Sequence, residues 1–138
     1  MKRVFLDIGF DYNFLLYGIV SQELPHRLVW AINQNVPMDF YRNDDLVLTF
    51  EPDEALTLTR FTFQDELNHL EFDLFSNKDE TGYWMPELRK IDYFIMVKGA
   101  LDAFQKRKFT EPFKHIQSIQ IISEINHKKL KQKERLIF

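Results

Sequence analysis

The chain has 138 residues, 45% of them hydrophobic, 15% aromatic and 28% charged, with a formal net charge of −3. It contains no cysteine, which excludes disulfides, thiolate catalysis and zinc ribbons, and it is long enough to bury a core without metal or disulfide support. No apolar run approaches the roughly 20 residues of a membrane helix, and Asp7 comes too early for a signal-peptide core, so the expectation is one soluble, cytoplasmic domain with no membrane partner.

Residues 4–8 read as a short edge strand or a lead-in. Residues 14–20 read as a strand apolar on both faces, with Gly18 marking a bulge or a close backbone approach. Residues 23–35 are the clearest helix, because Leu24, Leu28, Ala31 and Ile32 recur at helical spacing and Val29 and Trp30 widen the face. Pro25 is tolerated only in the first turn, so the helix should start near Leu24. It must end before Pro37, with Asn35 suited to a left-handed cap.

A β-rich middle follows. Leu46, Leu48 and Phe50 alternate along one strand, and residues 51–54 have turn chemistry around Pro52. Between Leu56, Leu58 and Phe61, Phe63 the apolar parity changes, which predicts a bulge or strong twist near Arg60. Residues 65–68 turn the chain into a strand over 69–75. Leu70, Phe72 and Leu74 share one face, while His69, Glu71 and Asp73 predict a wet one. Neighbouring strands joined by short loops make an antiparallel meander. Residues 76–84 form a polar connection ending in Tyr83 and Trp84, which either fold back onto the core or offer a contact surface.

The stretch 85–97 carries the most information. Pro86 opens one turn, and from Ile91 the chain reads as an interior strand. Ile91, Tyr93, Ile95 and Val97 lie on one side, Phe94 and Met96 on the other. Met85-Pro86-Glu87, three residues, then Ile91-Asp92-Tyr93 resembles the signature of the IPExxxVDY family, bacterial proteins typical of the Bacteroidetes and of unknown function. Met85 and Ile91 stand where the family has Ile and Val. Residues 14–19, Arg27, Leu28, Asn33, residues 76–78 and the closing Leu136-Ile137-Phe138 also resemble the family. The resemblance implies no known activity.

Residues 99–108 read as a loop with a helical turn, and Thr110 as the cap of a short helix through Glu111, Pro112, Phe113 and Ile116. Ile119, Ile121 and Ile125 then share strand parity. The fold class is therefore α+β: a mainly antiparallel sheet with one longer N-terminal helix and one short C-terminal helix. The C-terminal strand-helix-strand unit is of ferredoxin-like kind. The last dozen residues are basic until Leu136-Ile137-Phe138, which should dock on the body.

Residues 1–97 hold 8 Lys or Arg against 17 Asp or Glu, and residues 98–138 hold 10 against 4. Two halves that attract each other on folding are the plainer reading, an anionic partner the sharper one. Phosphate-loop, dinucleotide-binding and nucleophile-elbow patterns are missing. His26, His69, His115 and His127 are too scattered for a local metal motif, so neither cofactor nor metal is expected. Glu87 and Asp92 are the one carboxylate pair worth weighing as acid and base. With no companion nucleophile, they and Tyr93 read better as structural groups.

Three functions follow. The first is a non-enzymatic interaction or scaffold protein, binding another protein or itself as a homodimer, with Trp30, Tyr83 and Trp84 as the candidate contact surface. The second is nucleic-acid or ribonucleoprotein binding through Lys128, Lys129, Lys131, Lys133 and Arg135, with affinity that falls with salt. The third is a small-ligand sensor, which rests on fold analogy.

Overall fold

The alternation over residues 14–20 and 91–97 is realised as two central strands in a computed structural model, which describes residues 13–50 and 52–138. The expected strand over 4–8 lies outside the described residues. Strand β1, Leu15–Val20, leads into helix α1, Pro25–Asn35. Strands β2, Tyr41–Phe50, β3, Glu54–Asp65, and β4, Leu70–Ser76, form the meander. Strand β5, Tyr93–Lys98, helix α2, Ala103–Thr110, and strand β6, Ile121–Ile125, complete the order. The strands form one six-stranded antiparallel sheet in the order β2-β3-β4-β5-β1-β6. Among the described residues, no helix is long and apolar enough to cross a membrane.

Two connections fix the centre. Strands β4 and β1 flank β5, both antiparallel to it, so they run parallel to each other. By the same rule β5 and β6 run parallel on either side of β1, joined through α2. Both faces of the centre are therefore covered, as strands apolar on both sides require. One face packs Tyr17, Ile19, Tyr93, Ile95, Val97, Phe72 and Leu74 against Leu28, Val29 and Ile32 of α1 and Phe113. The other packs Leu16, Leu56, Leu58, Phe75, Phe94 and Met96 against Trp84, Met85 and Leu136, which come from irregular chain.

Helix α1 starts at Pro25, with Leu24 extended as its cap residue, as the proline dictates. Its end corrects the expectation for Asn35: Val36 closes the helix in an extended conformation, and the Asn35 amide donates back to the Ala31 carbonyl. The non-glycine residue at positive φ among those described is His69, at 57°, in the β3–β4 turn. Asn33 pins the chain beyond the helix by bonding both the N–H and the carbonyl of Phe40, each at 2.9 Å. Leu28 is fully buried, so Leu28→Ala should cost about 2–5 kcal/mol. An unchanged melting temperature would show that α1 does not rest on this face.

Other expectations need correction. The parity change in β3 involves no bulge of its own, since its register with β4 is unbroken from Arg60 to Asp65. The strand exchanges its apolar face: Leu56 and Leu58 lie under the irregular chain, Phe61 and Phe63 on the helix side. The register shift falls opposite, in β2 between Asn43 and Leu46. The expected wet face of β4 is dry at Asp73, which is 2% exposed. Its carboxylate accepts from Thr62 Oγ1 at 2.7 Å and from Arg60 Nε at 3.0 Å, the pairing that a buried charge needs. Ile91 precedes β5 and packs with the Phe94 and Met96 side, opposite Tyr93.

The C-terminal unit also differs in detail. Residues 103–110 are the helix, and Asp102 and Gln105 form a reciprocal capping box at its start. Thr110 ends α2 and its hydroxyl donates back to Lys106 O at 3.2 Å instead of capping the next turn, and residues 111–115 make a 3-10 turn that buries Phe113. Ile119 is buried but precedes β6, whose first residue, Ile121, is 55% exposed. Gly18 marks a close approach: a Cβ there would lie 2.7 Å from Ile125 Cδ1 and 3.0 Å from Ile91 Cδ1.

Candidate functional site

The signature residues meet at the end of β4. There the chain leaves Ser76 and turns Asn77 inward, to 0% exposure. Asn77 Nδ2 donates to the carbonyls of Leu88, at 3.0 Å, and Ile91, at 2.9 Å, while its Oδ1 accepts from Met85 N at 2.9 Å. Its backbone N–H donates to Asp92 O and its carbonyl accepts from Trp84 N. One buried amide thus holds both ends of the turn that Pro86 starts, a 3-10 turn over Pro86–Leu88. A buried amide is tolerated when its bonding capacity is used this fully.

The motif's polar groups reach three separate elements. Asp92 Oδ2 accepts from Ser21 N at 2.8 Å, and Asp92 N donates to Ile19 O at 2.9 Å, joining the motif to the end of β1. Glu87, on the surface, accepts from Lys131 N at 3.1 Å and Gln132 N at 2.9 Å, holding the closing segment. The Tyr93 hydroxyl donates to Glu23 O, just ahead of α1. Burial, with the nearby Asp92 and Glu23 charges, pushes the Tyr93 phenol up to about 12. It is a neutral donor at neutral pH rather than a source of protons. Glu87 and Asp92 bind different elements and are not brought together as an acid–base pair.

The contact surface read from sequence is corrected at Trp84. This residue is fully buried, edge-on to Phe75 and Phe94, and its Nε1–H donates to Arg135 O at 2.7 Å. Tyr83 is half-buried, with the Lys78 and Arg89 cations over its ring. Trp30 alone of the three is well exposed, at 65%, on the outer side of α1. The loop carrying Tyr83 and Trp84 closes on itself through a Lys78–Tyr83 bridge and is tied by side chains to β3 beyond its pairing with β4. Asp79 accepts from Thr57 N on the edge of β3 and from Thr81 and Gly82 within the loop. Desolvation works against its ionised form, but these donors outweigh it and hold the carboxyl below its usual range.

The candidate anion-binding tail is corrected at Arg135. Its guanidinium is buried 3.8 Å from the centroid of the Phe50 ring, with Nη2 3.1 Å from Glu54 Oε1. Lys128, Lys129 and Lys131 are exposed and Lys133 is half-buried, on a segment made of two 3-10 turns. Leu136 docks as expected, 1% exposed. His127 stacks on Phe14, and its Nε2 lies 2.7 Å from Phe14 O. Burial, helped by Lys128 and Lys133, holds its pKa below the usual histidine value.

Among the described residues, no group of three or more His, Asp or Glu side chains could hold a metal ion. A cleft of about 540 Å³ opens between the end of α1, the β3–β4 hairpin and α2, walled by Met38, Phe63, Leu70, Phe72, Leu101 and Phe109. No local pattern signals it, because its walls come from three separated segments. The polar residues that hold the motif could have been suspected only at Asn77, the centre of residues 76–78. Comparison with protein-family models and with curated proteins found no match for this chain.

Proposed function

We propose that this chain is a non-enzymatic, cytoplasmic interaction module of the IPExxxVDY type, built on a ferredoxin-like core that a β2–β3 hairpin extends. Two strand-helix-strand connections, β1 to β4 around β5 and β5 to β6 around β1, support the fold reading. One observation carries the functional one. Glu87, Asp92 and Tyr93, the motif groups best suited to chemistry, are each bonded to a backbone group of another element. The motif is a clasp that lets a mostly irregular layer cover one face of the sheet.

The test separates folding from chemistry. Glu87→Gln and Asp92→Asn should each cost about 1 kcal/mol, the net worth of a hydrogen bond. Any cellular defect should follow the loss of folded protein. A variant that melts like the wild type yet fails to complement a deletion strain would overturn the reading. The small-ligand alternative draws on the cleft beside α2, whose volume lies in the range of ligand pockets. Nucleic-acid binding draws only on Lys128, Lys129, Lys131 and Lys133, since Arg135 is committed to Glu54 and Phe50.

A further inference from the structure

The sheet has two outer strands, and they are treated differently. Strand β2 is guarded: its register shifts between Asn43 and Leu46, and Asp44 and Asp45 are exposed there. Arg42 folds along it, bonding Asp45, Asn43 O and Arg60 O. Bulges and charges of this kind prevent edge-to-edge pairing. Strand β6 is short but less guarded. It is unbroken in register with β1, contains no proline, and carries one charge, Glu124, already paired with Lys106 at 3.2 Å. Among the described residues β1 is its one ladder partner. Its first residue, Ile121, is 55% exposed.

We propose that β6 is a self-association edge that pairs antiparallel with β6 of a second copy, around a two-fold axis at Ser123. This rests on the interaction reading and names its partner. The strand reads Ile-Ile-Ser-Glu-Ile, so rotation about Ser123 sets Ile121 of each copy against Ile125 of the other on one face. That match makes the strand complementary to itself, as an isologous interface requires. On the opposite face Glu124 meets Ile122 of the other copy, and its bond to Lys106 leaves no carboxylate unpaired. A five-residue edge covers less than the roughly 1,600 Å² of a standard interface, so the dimer is weak and concentration-dependent.

The test uses the full chain. Light scattering should show a mass rising from 16.7 kDa towards twice that value as concentration increases. Ile121→Lys should weaken association at least about tenfold, because lysine guards an edge, and should leave the melting temperature unchanged. Val47→Lys, at an exposed position of β2, should change neither. A wild type that stays monomeric, or a dimer lost with Val47→Lys and kept with Ile121→Lys, overturns the proposal. A photo-crosslinking residue in place of Ser123, used in cells, separates this from the broader reading. An adduct at twice the chain mass, mapped to β6 on both sides, supports self-pairing. An adduct at another mass overturns self-pairing and leaves the interaction reading standing, and no adduct removes β6 from both.

Discussion

Asn77→Ala is expected to lower stability by about 3–5 kcal/mol, more than any substitution in the motif's own carboxylates. The side chain is fully buried and makes three bonds, to Leu88 O, Ile91 O and Met85 N. Alanine would leave the Ile91 carbonyl and the Met85 N–H without their partner, while Leu88 O keeps the Ile91 N–H, and each desolvated group costs roughly 1–3 kcal/mol unless water reaches it. The loss should not stay local, because Met85 and Trp84 enter the core from the same turn. Asn77→Asp keeps the shape and should be no better tolerated, since a carboxylate oxygen would then face two carbonyl oxygens. Urea denaturation of both variants measures the effect. A midpoint unchanged from the wild type would show that the turn stands without Asn77.

Strands, α1 and the turn at Pro86 were legible because each follows from nearest-neighbour chemistry: alternation, helical spacing and the fixed φ of proline. Helix α2 was not, since none of its residues is buried and apolar periodicity therefore had nothing to report. The Asp102-Gln105 capping box was the readable signal there. Asp73 was misread because alternation tells which face a residue takes, not what stands opposite. Its dryness depends on Arg60 and Thr62 arriving from β3. Asn77 and Arg135 were missed for the same reason at longer range. An Asn in a polar segment reads as a turn former, and an Arg in a basic tail reads as solvated. Arg135 is buried instead, through Glu54 and Phe50 far back in the chain. The fold was carried by local rules, whereas the site was carried by contacts between segments that no local pattern connects.

Deleting residues 136–138 should destabilise the protein by about 2–4 kcal/mol, chiefly through Leu136, because fully burying one such side chain contributes about 1.5–3 kcal/mol. Leu136 is 1% exposed against the sheet face of Phe75, Phe94 and Met96. Phe138, though half-exposed, sits edge-on to Phe75 and Trp84, and such aromatic contacts add to area burial. The deletion also frays the segment whose Arg135 carbonyl accepts the Trp84 indole N–H, a donor that would then be buried without a partner. Exchanging Lys128, Lys129 and Lys131 for Gln is the matched control. All three are exposed, so the triple variant should melt within about 1 kcal/mol of the wild type. Glu87 holds this segment through backbone N–H groups, which the exchange leaves in place. Thermal melts of the two variants side by side decide the matter. A silent deletion, joined to RNA binding that the triple variant loses, would make the closing segment a nucleic-acid contact instead of the cover of the sheet.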